Sequence, residues 1–329
     1  MLIVRKLASV GKNEAGDDIA IGEHDMTDDR IRAKRIGHAT FETPDLERQI
    51  AYYQNVVGLS VVAREGGRAY LGSRHGQLSI VLEQATAQRC SRLSFEVSAQ
   101  TSIADMTRHL TALGVTAQVC SDPLPGVSRQ LTFQDPKGTT IELFGDWGFV
   151  SVLEPPPGLG AFKLGHVAFF HPDPQAMATF YEQALGFRVS DWIGDYFVFM
   201  RCGPDHHSIN FLRNPSSSQM QHIAFELRDS AHLHAACDLL GRQNIKILWG
   251  PVRHGPGHNV ATYHRNPDDQ IVELFCDLDR MNDEELGYFE PRPWHRDRPQ
   301  RPKVWDPAQQ RDMWGLPPTP EFLRPAGSS

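Results

Sequence analysis

The chain contains the same sequence pattern twice. The segment IGHATFETPDLERQIAYYQNVVGLSVV at 36–62 resembles LGHVAFFHPDPQAMATFYEQALGFRVS at 164–190, which lies 128 positions further on. Two later matches keep nearly the same spacing: RLSFEV at 92–97 resembles HIAFEL at 222–227, and FQDPKGTTIELFGD at 133–146 resembles HRNPDDQIVELFCD at 264–277. Because a repeat of this length with so few insertions encodes one fold twice, we expect two tandem domains.

The repeat and the composition together divide the chain into five parts. We predict an N-terminal arm at 1–33, a first domain at 34–150, a linker rich in proline and glycine at 151–162, a second domain at 163–280, and a tail rich in proline and tryptophan at 281–329. Proline and glycine cannot continue a helix or a central strand, which supports the linker.

Local patterns in the second copy predict an α+β fold. GHVAFF alternates as a strand does, PQAMATFYEQAL has helical periodicity and ends at Gly186, and 231–243 is a second predicted helix. YFVFM, HSINFL and HIAFEL predict short strands, while NVATYHR and QIVELF predict a hairpin around NPDD. The predicted order is strand, helix and strands, twice in each domain.

Composition excludes several classes of partner. A net charge of −7 without a basic patch argues against nucleic acid, so we expect a small ligand. No apolar run approaches the length of a membrane span, and charged residues interrupt the N-terminal segment, so we expect no membrane partner and a cytoplasmic location. The five scattered cysteines, an odd number, predict reduced thiols rather than disulfides or a zinc site.

Three predicted strands of the second copy each carry one potential metal ligand. They are His166 in GHVAFF, His222 in QHIAFEL and Glu273 in IVELF, and residues two apart on a strand share a face. A single buried histidine is more often a core residue than a ligand. A buried glutamate, however, costs several kcal/mol unless it is paired or binds a metal. Two imidazoles and one carboxylate suit Fe(II) or Mn(II) in an oxygen-activating site.

With these residues in place, the chain resembles the type I extradiol ring-cleaving dioxygenases of the vicinal oxygen chelate superfamily, nearest the homoprotocatechuate branch. The similarity covers about residues 34–280. It implies an α+β fold of two tandem domains, each of paired βαβββ modules forming an open barrel, the glyoxalase or vicinal oxygen chelate fold. It also implies that only the C-terminal domain binds metal, through His166, His222 and Glu273. His254, in RHGPGHNVATY, and Tyr263 match the family's substrate-contacting histidine and tyrosine.

The resemblance further implies an acid/base histidine in the stretch DHHSINF. Matching HSINF to the family pattern selects His207 over His206, and strand alternation allows only one of the two to face the metal. The ordinary pKa of histidine, near 6.5, allows it to take up and return a proton near neutral pH. His206 is then a solvated or structural neighbour. His258 and His264 are interpreted as structural, because His258 lies outside the family positions and His264 faces opposite Tyr263.

The activity implied by the resemblance is extradiol cleavage of a small aromatic diol by O2. The catechol would bind through both oxygens to Fe(II), the expected metal, or to Mn(II), with O2 beside it. His207 would assist deprotonation, and Tyr263 and His254 would hydrogen-bond a substrate oxygen. The product would be a yellow muconic semialdehyde-type compound of aromatic catabolism, and the family resemblance suggests a homo-oligomer.

The first copy departs from this pattern at one ligand. It has His38 and Glu142, but Arg92 stands where the second copy has His222. A guanidinium cannot serve as a metal ligand. Our hypothesis is that Arg92 neutralises Glu142 as an ion pair and leaves the first domain structural.

The expected pocket walls are less specific than the metal ligands. Ala168, Phe199, Trp249 and Phe275 are interpreted as lining residues, and Arg292 in the tail as a polar contact. Trp249 stands where the homoprotocatechuate branch has the arginine for the substrate carboxylate, which favours a neutral or more aromatic catechol over an acidic one. The tail resembles the lid of that branch, and the alternative is an arm that packs against another subunit.

Two other functions differ in chemistry. A redox-silent metal-dependent isomerase or thiol transferase of the same fold would not need His254 and Tyr263. A metal-free binding protein would make the arrangement of His166, His222 and Glu273 accidental. Oxygen uptake with catechols separates the first alternative from the dioxygenase, and aromatic binding without metal would indicate the second.

Overall fold

The computed structural model describes residues 10–12, 18–20, 31–121, 124–152, 156–290, 297, 300–308 and 312–327. Most of the predicted N-terminal arm lies outside these ranges. Two short strands of the arm are described, β1 (Val10–Lys12) and β2 (Asp18–Ala20), and they pair antiparallel. None of the described helices is long and apolar enough to cross a membrane.

The first domain consists of two βαβββ modules. One module contains β3 (Ala33–Thr43), α1 (Leu46–Tyr52), β4 (Ser60–Glu65), β5 (Arg68–Gly72) and β6 (Leu78–Gln84), with a π-helical turn at Tyr53–Val57. The other contains β7 (Arg89–Val97), α2 (Ile103–Ala112), β8 (Gln118–Cys120), β9 (Gln130–Gln134) and β10 (Thr140–Phe144). These strands form one open sheet in the order β4-β5-β6-β3-β7-β10-β9-β8.

The second domain repeats this architecture. Its first module contains β11 (Lys163–His171), α3 (Pro174–Leu185), β12 (Arg188–Ile193), β13 (Phe197–Arg201) and β14 (Ile209–Arg213). Its second contains β15 (Met220–Glu226), α4 (Ser230–Arg242), β16 (Ile247–Arg253), β17 (Val260–Arg265) and β18 (Ile271–Cys276). The sheet order is β16-β17-β18-β15-β11-β14-β13-β12, followed by a tail strand, β19 (Lys303–Trp305). The predicted glyoxalase fold of two tandem α+β domains is confirmed.

The boundaries of α3 follow directly from the sequence. The Asp173 side chain accepts a hydrogen bond from the backbone N–H of Ala176, and Pro174 stands in the first turn, where its missing N–H costs nothing. Gly186 ends the helix with φ +66°, a left-handed conformation that glycine adopts without strain. The predicted end of this helix is therefore confirmed.

The repeated Gly-His pair has a packing reason. A Cβ on Gly165 would lie 2.5 Å from the Phe275 ring, and a Cβ on Gly37 would lie 2.5 Å from the Phe144 ring. Only glycine allows these phenylalanines, each two residues after a glutamate, to pack directly beneath the following histidine. The two motifs GH and ELF thus meet in space in both domains and bring one histidine and one glutamate together.

The two domains share one apolar core, which draws buried residues from both sheets. A buried hydrogen bond of 2.7 Å also joins the domains, between the Tyr52 hydroxyl and Nε2 of His264. Burial lowers the pKa of His264 to about 3, so this histidine is neutral. His264 therefore lies at the domain interface rather than in the site described below.

The described part of the tail packs on the second domain of its own chain. Strand β19 pairs parallel with β12, so that Trp192 is opposite Val304. A short helix, α5 (Pro320–Leu323), packs against β16, and Phe322 is buried there. Trp305 is buried as well.

Candidate active site

Three buried side chains of the second domain converge on one point. Nε2 of His166 lies 3.0 Å from Nε2 of His222 and 3.1 Å from Oε2 of Glu273, and the distance between the last two atoms is also 3.1 Å. Their strands are neighbours: β11 pairs with β15, and β15 pairs with β18. Among the described residues, they are the one cluster with the arrangement of a metal site.

The spacing and charge of this cluster fit a divalent metal. Ligands on one face of an octahedron with bonds of about 2.1 Å lie about 3.0 Å apart. Burial raises the pKa of Glu273, but His166 and His222 outweigh burial and hold that pKa well below its ordinary value. Burial lowers the pKa of His222. The cluster thus combines a carboxylate with an imidazole that is readily neutral, the forms that bind metal.

Two amide side chains orient these residues, and the sequence interpretation missed both. The Nδ2 of Asn259 donates to Oε1 of Glu273 at 2.9 Å, and Nδ1 of His222 is hydrogen-bonded to the Gln221 side-chain oxygen. The second contact places the hydrogen of the His222 ring on Nδ1, so Nε2 carries the lone pair that can bind a metal. A polar residue beside a candidate ligand on an otherwise apolar strand is a signal that could have identified Gln221.

His254 and Tyr263 form a pair beside the metal cluster. Nε2 of His254 lies 2.7 Å from the Tyr263 hydroxyl, and Tyr263 is directly opposite Glu273 across β17 and β18. Burial, reinforced by the charge of Glu273, raises the pKa of Tyr263 well above its ordinary value. The hydroxyl therefore stays protonated and can donate a hydrogen bond.

His207 lies on the other side of the cluster. Its ring centroid is 4.2 Å from that of His166 and 5.3 Å from that of Phe199. Burial, together with the neighbouring histidines, lowers the pKa of His207 well below 6.5, so the ring is neutral and can accept a proton. His207 faces the cavity, as expected.

His206 does not line the cavity, and its environment excludes one of the two predicted alternatives. The residue is 1% exposed, so it is not solvated. Its Nε2 lies 3.0 Å from Oδ2 of Asp191, and its Nδ1 lies 3.0 Å from Nδ1 of His207. His206 is therefore a structural neighbour, and Asp191 is a partner that the sequence interpretation did not identify.

A cavity of about 220 Å³ opens onto the cluster. His207, His254 and Tyr263 line it beside the metal cluster, and the remaining walls are mostly apolar: Phe170, Ile193, Tyr196, Phe197, Phe199, Leu212, Trp249, Pro256, Pro318, Phe322 and Leu323. Within the described part of the chain, the lining contains neither lysine nor arginine. The last three residues belong to the tail.

The structure treats the five predicted wall residues differently. Phe199 and Trp249 line the cavity, whereas Ala168 and Phe275, both described, do not. Ala168 lies on the same face of its strand as His166, as expected. Its short methyl group, however, lies between the longer side chains of its neighbours in the sheet, Asn210 and His222. The Phe275 ring lies below His166, with centroids 5.3 Å apart. Arg292 lies outside the described residues.

The equivalent cluster of the first domain is filled by protein groups. Nε2 of His38 lies 3.0 Å from Oε2 of Glu142, and Arg92 Nη1 lies 3.4 Å from Oε1 of the same carboxylate. Gln130 Nε2 donates to Oε1 of Glu142 at 3.2 Å. Burial raises the pKa of Glu142, but His38 and Arg92 reverse the effect and lower that pKa. The predicted ion pair is present.

Comparisons with known proteins agree with the two-domain repeat. The family profile Glyoxalase/Bleomycin resistance protein/Dioxygenase superfamily matches residues 35–143 and 163–274, once in each domain. The chain is 26% identical over 262 residues to a metapyrocatechase of Pseudomonas sp. (strain CF600), which covers 74% of this chain and 85% of that protein. It is 25% identical over 278 residues to an iron-dependent extradiol dioxygenase of Rhodococcus jostii, and this match covers 76% of this chain and 91% of that protein.

A further relative is a manganese-dependent 2,3-dihydroxybiphenyl 1,2-dioxygenase of Geobacillus genomosp. 3, 24% identical over 297 residues (82% and 93%). Two solved structures share the fold. One is the Mn(II)-bound glyoxalase of Novosphingobium aromaticivorans, with a TM-score of 0.77, 23% identity and 89% and 95% coverage. The other is homoprotocatechuate 2,3-dioxygenase of Brevibacterium fuscum with 3,4-dihydroxyphenylacetate. Its TM-score is 0.74 and its sequence identity is 22%, and the match covers 90% of this chain and 93% of that chain. By the match in both domains, the chain belongs to the glyoxalase/bleomycin resistance protein/dioxygenase superfamily.

Proposed function

We propose that this chain is an extradiol dioxygenase that uses O2 to cleave a catechol ring next to its two hydroxyl groups. One observation carries the proposal. A facial set of two histidines and a glutamate opens onto a cavity that is also lined by His207, His254 and Tyr263. The redox-silent alternative has no use for the last three residues, whereas ring cleavage needs groups that move protons and hold a substrate oxygen.

In this proposal, His166, His222 and Glu273 hold the metal. Relatives named iron-dependent and manganese-dependent support either Fe(II) or Mn(II). The bound metal would supply Lewis acidity and one-electron chemistry that brings a catechol and O2 together. The anionic carboxylate lowers the net charge of the centre, and the amide contacts from Gln221 and Asn259 keep two ligands in their binding orientation.

The protein groups around the metal have separate tasks. Neutral His207 accepts a proton from a catechol hydroxyl and later returns one to the substrate. Tyr263 donates a hydrogen bond to a substrate oxygen, and His254, 2.7 Å from that hydroxyl, orients it. The apolar walls exclude water, which strengthens these polar contacts. The expected product is a yellow compound of the muconic semialdehyde type.

We further propose that the substrate is a catechol with an uncharged, apolar substituent. A carboxylate would find no cationic partner among the described lining residues, and its burial without one would cost several kcal/mol. The phenylalanine and tyrosine rings of β13 and its preceding turn offer an apolar surface for an aryl or alkyl group. A homo-oligomeric state remains a prediction from the family resemblance, and a cytoplasmic location remains a prediction from the sequence.

The test starts from anaerobic loading with Fe(II) or Mn(II). Oxygen is then added with a panel of catechols that differ in the ring substituent, from 3-phenylcatechol to 3,4-dihydroxyphenylacetate. Oxygen uptake equal to the yellow product, lost in Glu273→Gln and kept in the first-domain variant Glu142→Gln, would support the proposal. Tight binding of one metal without oxygen uptake for any catechol would instead favour the isomerase or thiol transferase alternative.

A further inference from the structure

His207 is connected to the tail by a series of buried hydrogen bonds. Its Nδ1 lies 3.0 Å from Nδ1 of His206, and Nε2 of His206 lies 3.0 Å from Oδ2 of Asp191. Asp191 also accepts hydrogen bonds from the tail strand β19, at 2.7 Å from Nε1 of Trp305 and at 2.9 Å from the backbone N–H of Lys303. Three donors therefore meet on one buried carboxylate.

This carboxylate determines where the hydrogens lie on both imidazoles. Because a carboxylate only accepts, Nε2 of His206 carries a hydrogen. A neutral imidazole of that form has its lone pair on Nδ1, so His207 must donate from its own Nδ1 across the 3.0 Å contact. His207 then has its lone pair on Nε2, which is the form that can take a proton from a substrate.

The His206 ring is buried among protein groups. Both Asp191 and His206 are buried. The ring centroids of Phe289 and Phe199 lie 4.6 and 6.0 Å from that of His206. The backbone also closes on it, since a Cβ on Gly257 would lie 3.1 Å from Nδ1 of His206. Both ring nitrogens of His206 therefore have protein groups as hydrogen-bond partners.

We propose that Asp191 and His206 are positioning residues that fix the tautomer of His207, with the tail strand holding Asp191 in place. The effect on catalysis rests on the proposed dioxygenase function, whereas the tautomer is a property of the folded chain. The opposite pattern is chemically distinct. A doubly protonated His206 would donate from both nitrogens and force the hydrogen of His207 onto Nε2.

The tautomers are measured by NMR on full-length protein with 15N-labelled histidine rings, metal-free and again with diamagnetic Zn(II). Signals are assigned by their loss in His206→Phe and His207→Phe. We expect the hydrogen of His207 on Nδ1 and that of His206 on Nε2. A hydrogen on Nε2 of His207 in the wild-type protein would overturn the proposal.

A double variant tests the cause. In Asp191→Asn combined with Trp305→Phe, the amide oxygen can still accept from the Lys303 backbone while the amide nitrogen faces His206. An amide N–H donates, so the hydrogens on His206 and His207 are expected to reverse. Trp305→Phe alone is the matched control, because it loses the same tail contact but keeps the carboxylate and hence the wild-type tautomers. Reversal in both variants, or in neither, would contradict the proposal.

The kinetic readout uses the same two variants as holoenzymes. We expect the kcat of the double variant to be at least about 100-fold below that of Trp305→Phe, with the KM for the catechol changed by less than about threefold. If the double variant does not fold, His206→Phe is expected to show mixed His207 tautomers and a smaller kcat loss, in proportion to the fraction of His207 that no longer has its hydrogen on Nδ1. Reversed tautomers without a kcat loss would refute the positioning role, while wild-type protein with the expected tautomers but no ring cleavage would refute only the dioxygenase function.

Discussion

The Arg92 guanidinium lies 3.4 Å from the Glu142 carboxylate in the first domain. His222 approaches Glu273 to 3.1 Å at the equivalent place in the second domain. The register of the strands is the same, because Arg92 is opposite Thr140 as His222 is opposite Ile271. One position of the repeat therefore carries a fixed cation in one domain and a potential metal ligand in the other.

From this difference we predict one metal ion per chain. Glu273→Gln removes the only anionic ligand of the cluster and is expected to lower Fe(II) or Mn(II) binding by at least about 100-fold, whereas Glu142→Gln keeps one ion. Metal analysis after dialysis measures the stoichiometry. A thermal melt adds a second measurement, since metal at about 100 times its Kd should stabilise wild type by about 2.7 kcal/mol and Glu273→Gln by much less. Two tightly bound ions in the wild type would contradict this.

Trp249 is predicted to exclude charged catechols. Its ring stacks on Tyr263 with centroids 5.4 Å apart, and its Nε1 donates to the backbone oxygen of Leu316 at 3.0 Å. Trp249→Arg places a cation in the cavity, and charge-assisted hydrogen bonds contribute about 1.5–3 kcal/mol. We expect the ratio of kcat/KM for 3,4-dihydroxyphenylacetate over that for 3-phenylcatechol to rise at least about tenfold. Trp249→Phe is the uncharged control, and an equal rise there would show that size rather than charge decides.

The tail is predicted to form a wall of the substrate cavity. The Phe322 ring lies 4.9 Å from Trp249 and 4.8 Å from Tyr263. Phe322→Ala opens this wall, so we expect KM for 3-phenylcatechol to rise about tenfold while the metal content stays the same. The adjacent Glu321→Gln removes an exposed ion pair with Lys246 and should change KM less than about twofold. Equal kinetics for the two variants would instead support a tail that only packs against another subunit.

The sequence alone predicted those site residues that follow the alternating pattern of a β-strand. His166, His222 and Glu273 stand out because strand alternation assigns a face to each residue. The same rule misassigned Ala168, because a face does not tell how far a side chain reaches into a cavity. The contact of Trp305 with Asp191 joins residues 114 positions apart, and no periodicity in either segment indicates it. Such contacts depend on where the proline-rich tail packs on the second domain, and this packing is visible only in the folded structure.

The last prediction concerns a second tail contact, at His258. Its Nδ1 lies 2.6 Å from Oδ2 of Asp279, and its Nε2 lies 3.3 Å from Oδ2 of Asp297 in the tail. Burial lowers the pKa of His258, but the two carboxylates outweigh burial and raise that pKa above its ordinary value. A histidine whose pKa is raised in the folded state stabilises the fold fully below the unfolded pKa, near 6.5, and loses this contribution as pH rises through the folded pKa.

We therefore expect the free energy of unfolding of the wild type to fall between pH 6 and pH 9 by more than that of His258→Asn. Asparagine suits this position because residue 258 has φ +48°, which asparagine tolerates, and its amide has no charge to lose in this range. Urea unfolding at the two pH values gives the difference for each protein. Because every other titrating group is common to both proteins, parallel pH dependences would mean that folding does not raise the pKa of His258, and the ion-pair account of the tail contact would be wrong.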